Sequence, residues 1–199
     1  MKNKLGVFLA RMQPLHIAHM YLVEKALEEN ERVAIVLGSA NKEGMLRNPF
    51  DLETRIDLLH KVLRDKKYSE EDIDRITVFE LPDWSYENDT NETLEWGRYL
   101  YYNIVSRTQT KEFSIYYSDD AKIIKSWFRG VPEGRVTLRL FNRSNIYEGL
   151  SATKIREAIL NEDRGYLEKY IPSNILDDVI NLTTELREVV NNPRADFSM

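Results

Sequence analysis

Two short stretches carry the residue types best suited to chemistry. Residues 10–19, ARMQPLHIAH, place His16 and His19 three positions apart, with Arg11 and Gln13 just ahead of them. That spacing puts both imidazoles on one helical face. Beside Arg11 and the open N–H groups of a helix start, they form a compact donor set for an anion. As metal ligands the two histidines are incomplete, because no carboxylate stands near them. Residues 150–156, LSATKIR, crowd Ser151, Thr153, Lys154 and Arg156 into a second helix start. Hydroxyls, free N–H groups and a guanidinium fork suit a polyphosphate. Lys154 and Arg156 also oppose the helix dipole, so helix propensity alone does not account for them. Each stretch has a plainer reading, as an ordinary capped helix start with a solvated basic turn. The functional reading gains weight because two of the chain's three histidines share one turn.

The surrounding pattern says what must position these residues. Apolar strand-like runs at 5–9, 32–37, 76–81, 113–117 and 136–141 alternate with helical periods at 19–29, 52–64, 92–105 and 121–128. Such alternation predicts a parallel sheet with helices on both faces. Ligands of such sheets bind beyond the carboxyl ends of the strands. The histidine stretch follows the first strand and the Ser/Thr/Arg stretch follows the last. The expected fold is therefore α/β, a Rossmann-like doubly wound parallel sheet of about five strands with a small C-terminal helical extension. Residues 1–150 read as the core. Residues 151–190 read as a phosphate-binding helix and helical extension of the same domain, and 191–199 as a frayed tail. Gly165 breaks the helical pattern, and Pro172 opens a helix expected over 173–190. Acidic residues 70–72 and the segment 87–89 read as solvated loop charge, His60 as structural, and Asp119 or Asp120 as a helix cap or a ligand contact after the fourth strand.

Composition narrows the function classes. The chain has 199 residues, with 28 Lys+Arg against 33 Asp+Glu and a formal net charge of −5. One full domain is expected from that length. The absence of cysteine excludes a disulfide framework, a thiol nucleophile and cysteine-based metal sites. Mild acidity argues against broad nucleic-acid binding. No apolar run approaches the ~20 residues that span a bilayer, and no secretory leader is expected, so a cytoplasmic location follows.

Taken together, the two stretches resemble the HxGH-type nucleotidylyltransferases. His16 to His19 stands for the HxGH motif and residues 150–156 for the ISTxxxR-like motif. The opening at residues 10–16 is similar to the GRFQPxH start of the archaeal-type nicotinamide-nucleotide adenylyltransferases. Residues 38–41 (GSAN) and 47–50 (RNPF), followed by Glu53 and Arg55, resemble a further segment of that group, and residues 81–84 (LPDW) its pyridine-nucleotide loop. Ala10, Met12 and Ala18 depart from the motif's Gly, Phe and Gly. A methyl at position 18 tightens or shifts a nucleotide site that glycine would leave open.

The resemblance implies adenylyl transfer from ATP to nicotinamide mononucleotide, giving NAD and pyrophosphate. It implies that Arg11, Gln13, His16, His19, Ser151, Thr153 and Arg156 bind ATP, with His16, His19 and Arg156 catalytic. Arg47, Asp83 and Trp84 then bind the mononucleotide; apart from the resemblance, a carboxylate at Asp83 near the pyridine ring is expected to repel the carboxylate of the nicotinic acid form. Magnesium is expected with ATP, held by phosphate oxygens and water rather than by a protein metal site. The expected partners are these small molecules, without nucleic acid or membrane; a homo-oligomer is admitted, but no surface for one is legible. Two competing readings stand. One is a cytidylyltransferase acting on a phosphorylated alcohol. The other is a non-catalytic sensor of NAD or ATP, kept open by Ala18.

Overall fold

The computed structural model describes residues 2–65, 67–83, 92–118, 121–141, 147–148 and 150–194. Five parallel strands among them form one sheet: β1 (Asn3–Ala10), β2 (Asn30–Leu37), β3 (Ile76–Glu80), β4 (Phe113–Tyr117) and β5 (Val136–Leu140). Their order is β3-β2-β1-β4-β5. The helices between them are α1 (Ile17–Glu29), α2 (Leu52–Leu63), the short α3 (Glu70–Asp74), α4 (Glu92–Thr108) and α5 (Ala121–Trp127). After β5 come α6 (Ala152–Leu160), α7 (Arg164–Tyr170), α8 (Leu176–Asn181) and α9 (Thr183–Asn191).

Side-chain alternation along β2 explains the two layers. Val33, Ile35 and Leu37 face α1 and α2, packing with Val23, Ala26, Leu58 and Leu59. Ala34 and Val36 face the other side, with Leu100 and Ile104 of α4 and Ile124 of α5. The central β1 is buried on both faces, which is why its sequence is nearly continuously apolar. Val7 pairs with Ala34 on one side and Ile115 on the other. The strand order therefore reverses at β1, and a crevice opens between the carboxyl ends of β1 and β4. Ile155, Ile159, Val179 and Leu186 join the α1/α2 core, so the C-terminal helices cover the same face.

Several local expectations are corrected. Residues 70–72 are helical, because Ser69 and Asp72 form a reciprocal capping box that starts α3. Hydrogen bonds from Ser69 hold the Asp72 carboxyl below its ordinary range. Gly165 lies inside α7, whose start is fixed by the Asp163 side chain accepting from the Tyr166 N–H at 3.0 Å. The helix expected over 173–190 is broken. A 3-10 turn (Ser173–Ile175) opens it, and the Thr183 hydroxyl donates to the Ile180 carbonyl at 2.6 Å between α8 and α9. Beyond α9, the Arg194 backbone N–H donates to the Gly44 carbonyl at 2.8 Å.

Candidate active site

Two buried residues, Met12 and Gln13, shape the loop after β1. Met12 adopts a left-handed backbone (φ 52°) and is 1% exposed. Non-glycine residues hold that conformation only where the surroundings fix it. Gln13 is also buried, and its side-chain amide brackets one residue: its nitrogen donates to the Phe50 carbonyl at 2.8 Å and its oxygen accepts from the Phe50 N–H at 3.0 Å. The Gln13 side chain thereby clamps the loop after β1 to the start of α2.

His16 is the extended residue before α1, and His19 stands in the helix's first turn. The His16 backbone N–H donates to Nδ1 of His19 at 3.3 Å. Nδ1 thus serves as acceptor, so the neutral His19 ring carries its proton on Nε2. The two imidazoles stack with centroids 3.6 Å apart and planes 13° apart. Ala18, between them, packs into the core with the residues of α1, and its methyl is not part of the crevice wall.

At α6, Ser151 caps the helix by accepting from the Lys154 N–H at 3.2 Å. Arg156 reaches across 143 residues of sequence and donates to the Gln13 carbonyl at 2.9 Å. Its other terminal nitrogen lies 3.4 Å from the Thr153 hydroxyl oxygen. Burial lowers the proton affinity of this guanidinium, and Arg11 lowers it further, with Glu157 opposing. A guanidinium that is both partly desolvated and beside a second cation gains most from an incoming anion.

The loop after β2 is stapled by a residue that sequence reasoning missed as a functional support. Arg55 has no exposed surface. It donates to the carbonyls of Arg11 at 3.0 Å, Gly38 at 2.9 Å, Ser39 at 3.3 Å and Asp51 at 3.0 Å. One guanidinium therefore joins the loops after β1 and β2 to the start of α2. Burial lowers its proton affinity, while Asp51 and Asp83 oppose that shift. The available signal was an arginine on the apolar stripe of α2, one turn before Leu58 and Leu59.

These elements enclose a cavity of about 490 Å³ at the carboxyl ends of β1 and β4. Arg11, Gln13, His16, His19, Arg47, Ser151, Thr153 and Arg156 all line it. Tyr117, Ile124 and Trp127 supply an apolar wall that the sequence reading did not identify. Asp83 is not brought to this wall. Its carboxylate accepts from the Ser39 hydroxyl at 3.1 Å and pairs with Lys42 at 3.5 Å, latching the loop after β3 to the loop after β2. Trp84, Asp119 and Asp120 lie outside the described residues. Among the described residues no group of three His, Cys, Asp or Glu side chains is arranged to hold a metal. Cations, hydroxyls and imidazole N–H groups beside an apolar wall make a site for a phosphorylated ligand with a flat hydrophobic part.

Comparison with known proteins places this chain in a family. The cytidylyltransferase-like family profile matches residues 7–158. A relative from Pyrobaculum aerophilum called nicotinamide-nucleotide adenylyltransferase is 30% identical over 173 residues, 86% of this chain and 85% of its own length. A bifunctional NMN adenylyltransferase/ADP ribose pyrophosphatase from Francisella tularensis shares the fold, with a TM-score of 0.75 and 19% identity. This alignment covers 95% of the present chain and 53% of the Francisella chain, so the present chain spans about half of that protein. The same Francisella enzyme in complex with AMP and a manganese ion gives a TM-score of 0.67 at 22% identity, covering 96% of this chain and 53% of that one. On the extent of these matches, the chain belongs to the cytidylyltransferase-like family and, within it, to the nicotinamide-nucleotide adenylyltransferases.

Proposed function

We propose that this chain joins ATP to nicotinamide mononucleotide, forming NAD and releasing pyrophosphate, in the crevice between β1 and β4. A phosphate oxygen of the mononucleotide attacks the α-phosphorus of ATP. The bond from that phosphorus to the bridging oxygen breaks, and both electrons leave with pyrophosphate. No protein nucleophile is required, in keeping with a lining rich in donors and free of cysteine. Catalysis is then positioning plus neutralisation of charge on the reacting phosphates.

Ser151, Thr153 and Arg156 hold the β- and γ-phosphates at the start of α6. His16 and His19 donate to the phosphates from the start of α1. His19 does so through Nε2–H, because its Nδ1 is occupied by the His16 N–H. Arg11 and Arg47 draw the two anionic substrates together. Tyr117, Ile124 and Trp127 offer the apolar wall for a base. A divalent cation, which we take to be magnesium, fits this donor set as a companion of the triphosphate, held by phosphate oxygens and water. When bound it spreads the charge of the leaving pyrophosphate. The site handles small molecules, and a cytoplasmic location is part of the same proposal. No helix among the described residues is long and apolar enough to cross a membrane.

The observation that carries this reading is the Arg156 to Gln13 hydrogen bond, 2.9 Å long, which joins the two anion-binding stretches at one cavity. The test is pyrophosphate release with magnesium, ATP and nicotinamide mononucleotide, run beside CTP with a phosphorylated alcohol. Release in the first mixture and none in the second is expected. The reverse would favour the cytidylyltransferase reading, and ligand binding without release in either would favour a sensor. The placement of the Ala18 methyl in the core takes away the feature that argued for the sensor.

A further inference from the structure

Arg47 is carried on a small hairpin whose two roots are held by different parts of the molecule. Met45 and Asn48 exchange backbone hydrogen bonds of 3.2 and 3.0 Å, leaving Leu46 and Arg47 at the exposed tip. Below them the Gly44 N–H donates to the Pro49 carbonyl at 3.1 Å. The downstream root is fixed by the Gln13 bracket around Phe50 and by Asp51, whose side chain accepts from the Thr54 N–H at 2.7 Å.

The upstream root is held from the far end of the chain. The Arg194 N–H donates to the Gly44 carbonyl at 2.8 Å, and its guanidinium pairs with Glu43 at 2.5 Å. Gly44 is adapted to this contact in two ways. Its φ of +67° favours glycine, and a Cβ there would come within 2.8 Å of the Arg194 Cδ. The groove that receives Arg194 is also lined by Asp51, Glu185 and Glu188, so a cation is the residue its charge accepts.

We propose that Arg194 is a positioning residue for adenylyl transfer: by tying the C-terminal segment to Gly44 and Glu43, it sets the angle at which the hairpin presents Arg47 to the crevice. The inference rests on the reading of Arg47 as a substrate-phosphate contact. Arg194 touches no substrate itself. It acts through the hairpin root, and its loss lets the tip swing while the Phe50 root stays clamped.

The experiment is a double-mutant cycle with Arg194→Ala and Arg47→Ala, read as kcat/KM for the mononucleotide. Arg194→Ala removes the side-chain pair with Glu43 and keeps the backbone N–H bond to Gly44, and an exposed ion pair is worth up to about fivefold in such a ratio. Arg194→Ala alone is expected to lose about that factor, and to lose little further activity once Arg47 is already alanine. Arg187→Ala, in the helix just ahead of Arg194 but paired with Glu162 at 2.8 Å, is expected to keep wild-type kinetics. An unchanged kcat/KM in Arg194→Ala, an equal loss with and without Arg47, or an equal loss in Arg187→Ala would each overturn the proposal. Amide exchange at Gly44, Met45 and Asn48 gives a readout independent of activity, expected to speed up in Arg194→Ala. If the wild-type protein releases no pyrophosphate, the adenylyl-transfer reading fails. The strap is then decided by that exchange alone, and unchanged protection would refute it.

Discussion

His19 is oriented by a backbone donor before any substrate arrives. With Nδ1 accepting from His16, the ring can present only Nε2–H to a phosphate. Replacing His19 by Ala is expected to lower kcat by about 10²–10³, the usual cost of losing one transition-state donor. Melting temperature should fall little, because the ring is partly exposed at the crevice. A Gln side chain reaches the position of Nε2 and an Asn side chain that of Nδ1, so His19→Gln should retain more turnover than His19→Asn. Steady-state kinetics beside thermal melts check this, and equal losses in both variants would show that the Nε2–H is not the working donor. The histidine pair and the residues at the start of α6 were legible in the sequence because their chemistry is local, donors gathered within a turn. The clamping role of Gln13 was not legible for the opposite reason: nothing near it in sequence announces that its amide brackets Phe50, 37 residues on.

Helix α5 forms part of the crevice wall through Ile124 and Trp127, and α4 holds it there. The two helices meet at Gly97, where an added Cβ would lie 1.7 Å from the Trp127 carbonyl oxygen. No rotamer change relieves a contact with backbone, so any side chain at this position must push α5 away. Gly97→Ala is therefore expected to destabilise the protein by about 1–3 kcal/mol, the usual range for overpacking. It should also raise the KM for ATP more than that for the mononucleotide. Denaturant unfolding and paired KM measurements test both, and a stability loss with neither KM moved would separate α5 from the nucleotide site. The alternation of strands and helices was readable because each element advertises its period. The breaks at α3 and between α8 and α9 were not, since they depend on the Ser69/Asp72 box and on the Thr183 hydroxyl finding the Ile180 carbonyl.

Across the whole molecule, the C-terminal helices return to the loop that carries Arg47, and they bring carboxylates with them. Glu185 sits in the groove with Glu43, Asp51 and Glu188, and burial, followed by those neighbouring charges, raises its carboxyl above the ordinary range. A group whose folded-state pKa exceeds its unfolded value adds stability in acid that is lost as pH rises through the folded pKa. Glu185→Gln is therefore expected to raise the melting temperature at neutral pH, with the gain shrinking toward pH values below the ordinary Glu range. Melting curves over that pH interval check the sign, and a gain that grows in acid would contradict it. The sequence by itself determined the βα alternation, the parallel sheet and the two polar helix starts that line the crevice. Each is written in residue type and short-range spacing, which fix local conformation and the burial of each face. Only the tertiary structure decided that Arg156 meets Gln13, that Arg55 staples two loops, that Gly97 admits Trp127 and that Arg194 braces Gly44. Those contacts join segments remote in the chain, and they form only when packing brings the backbones together.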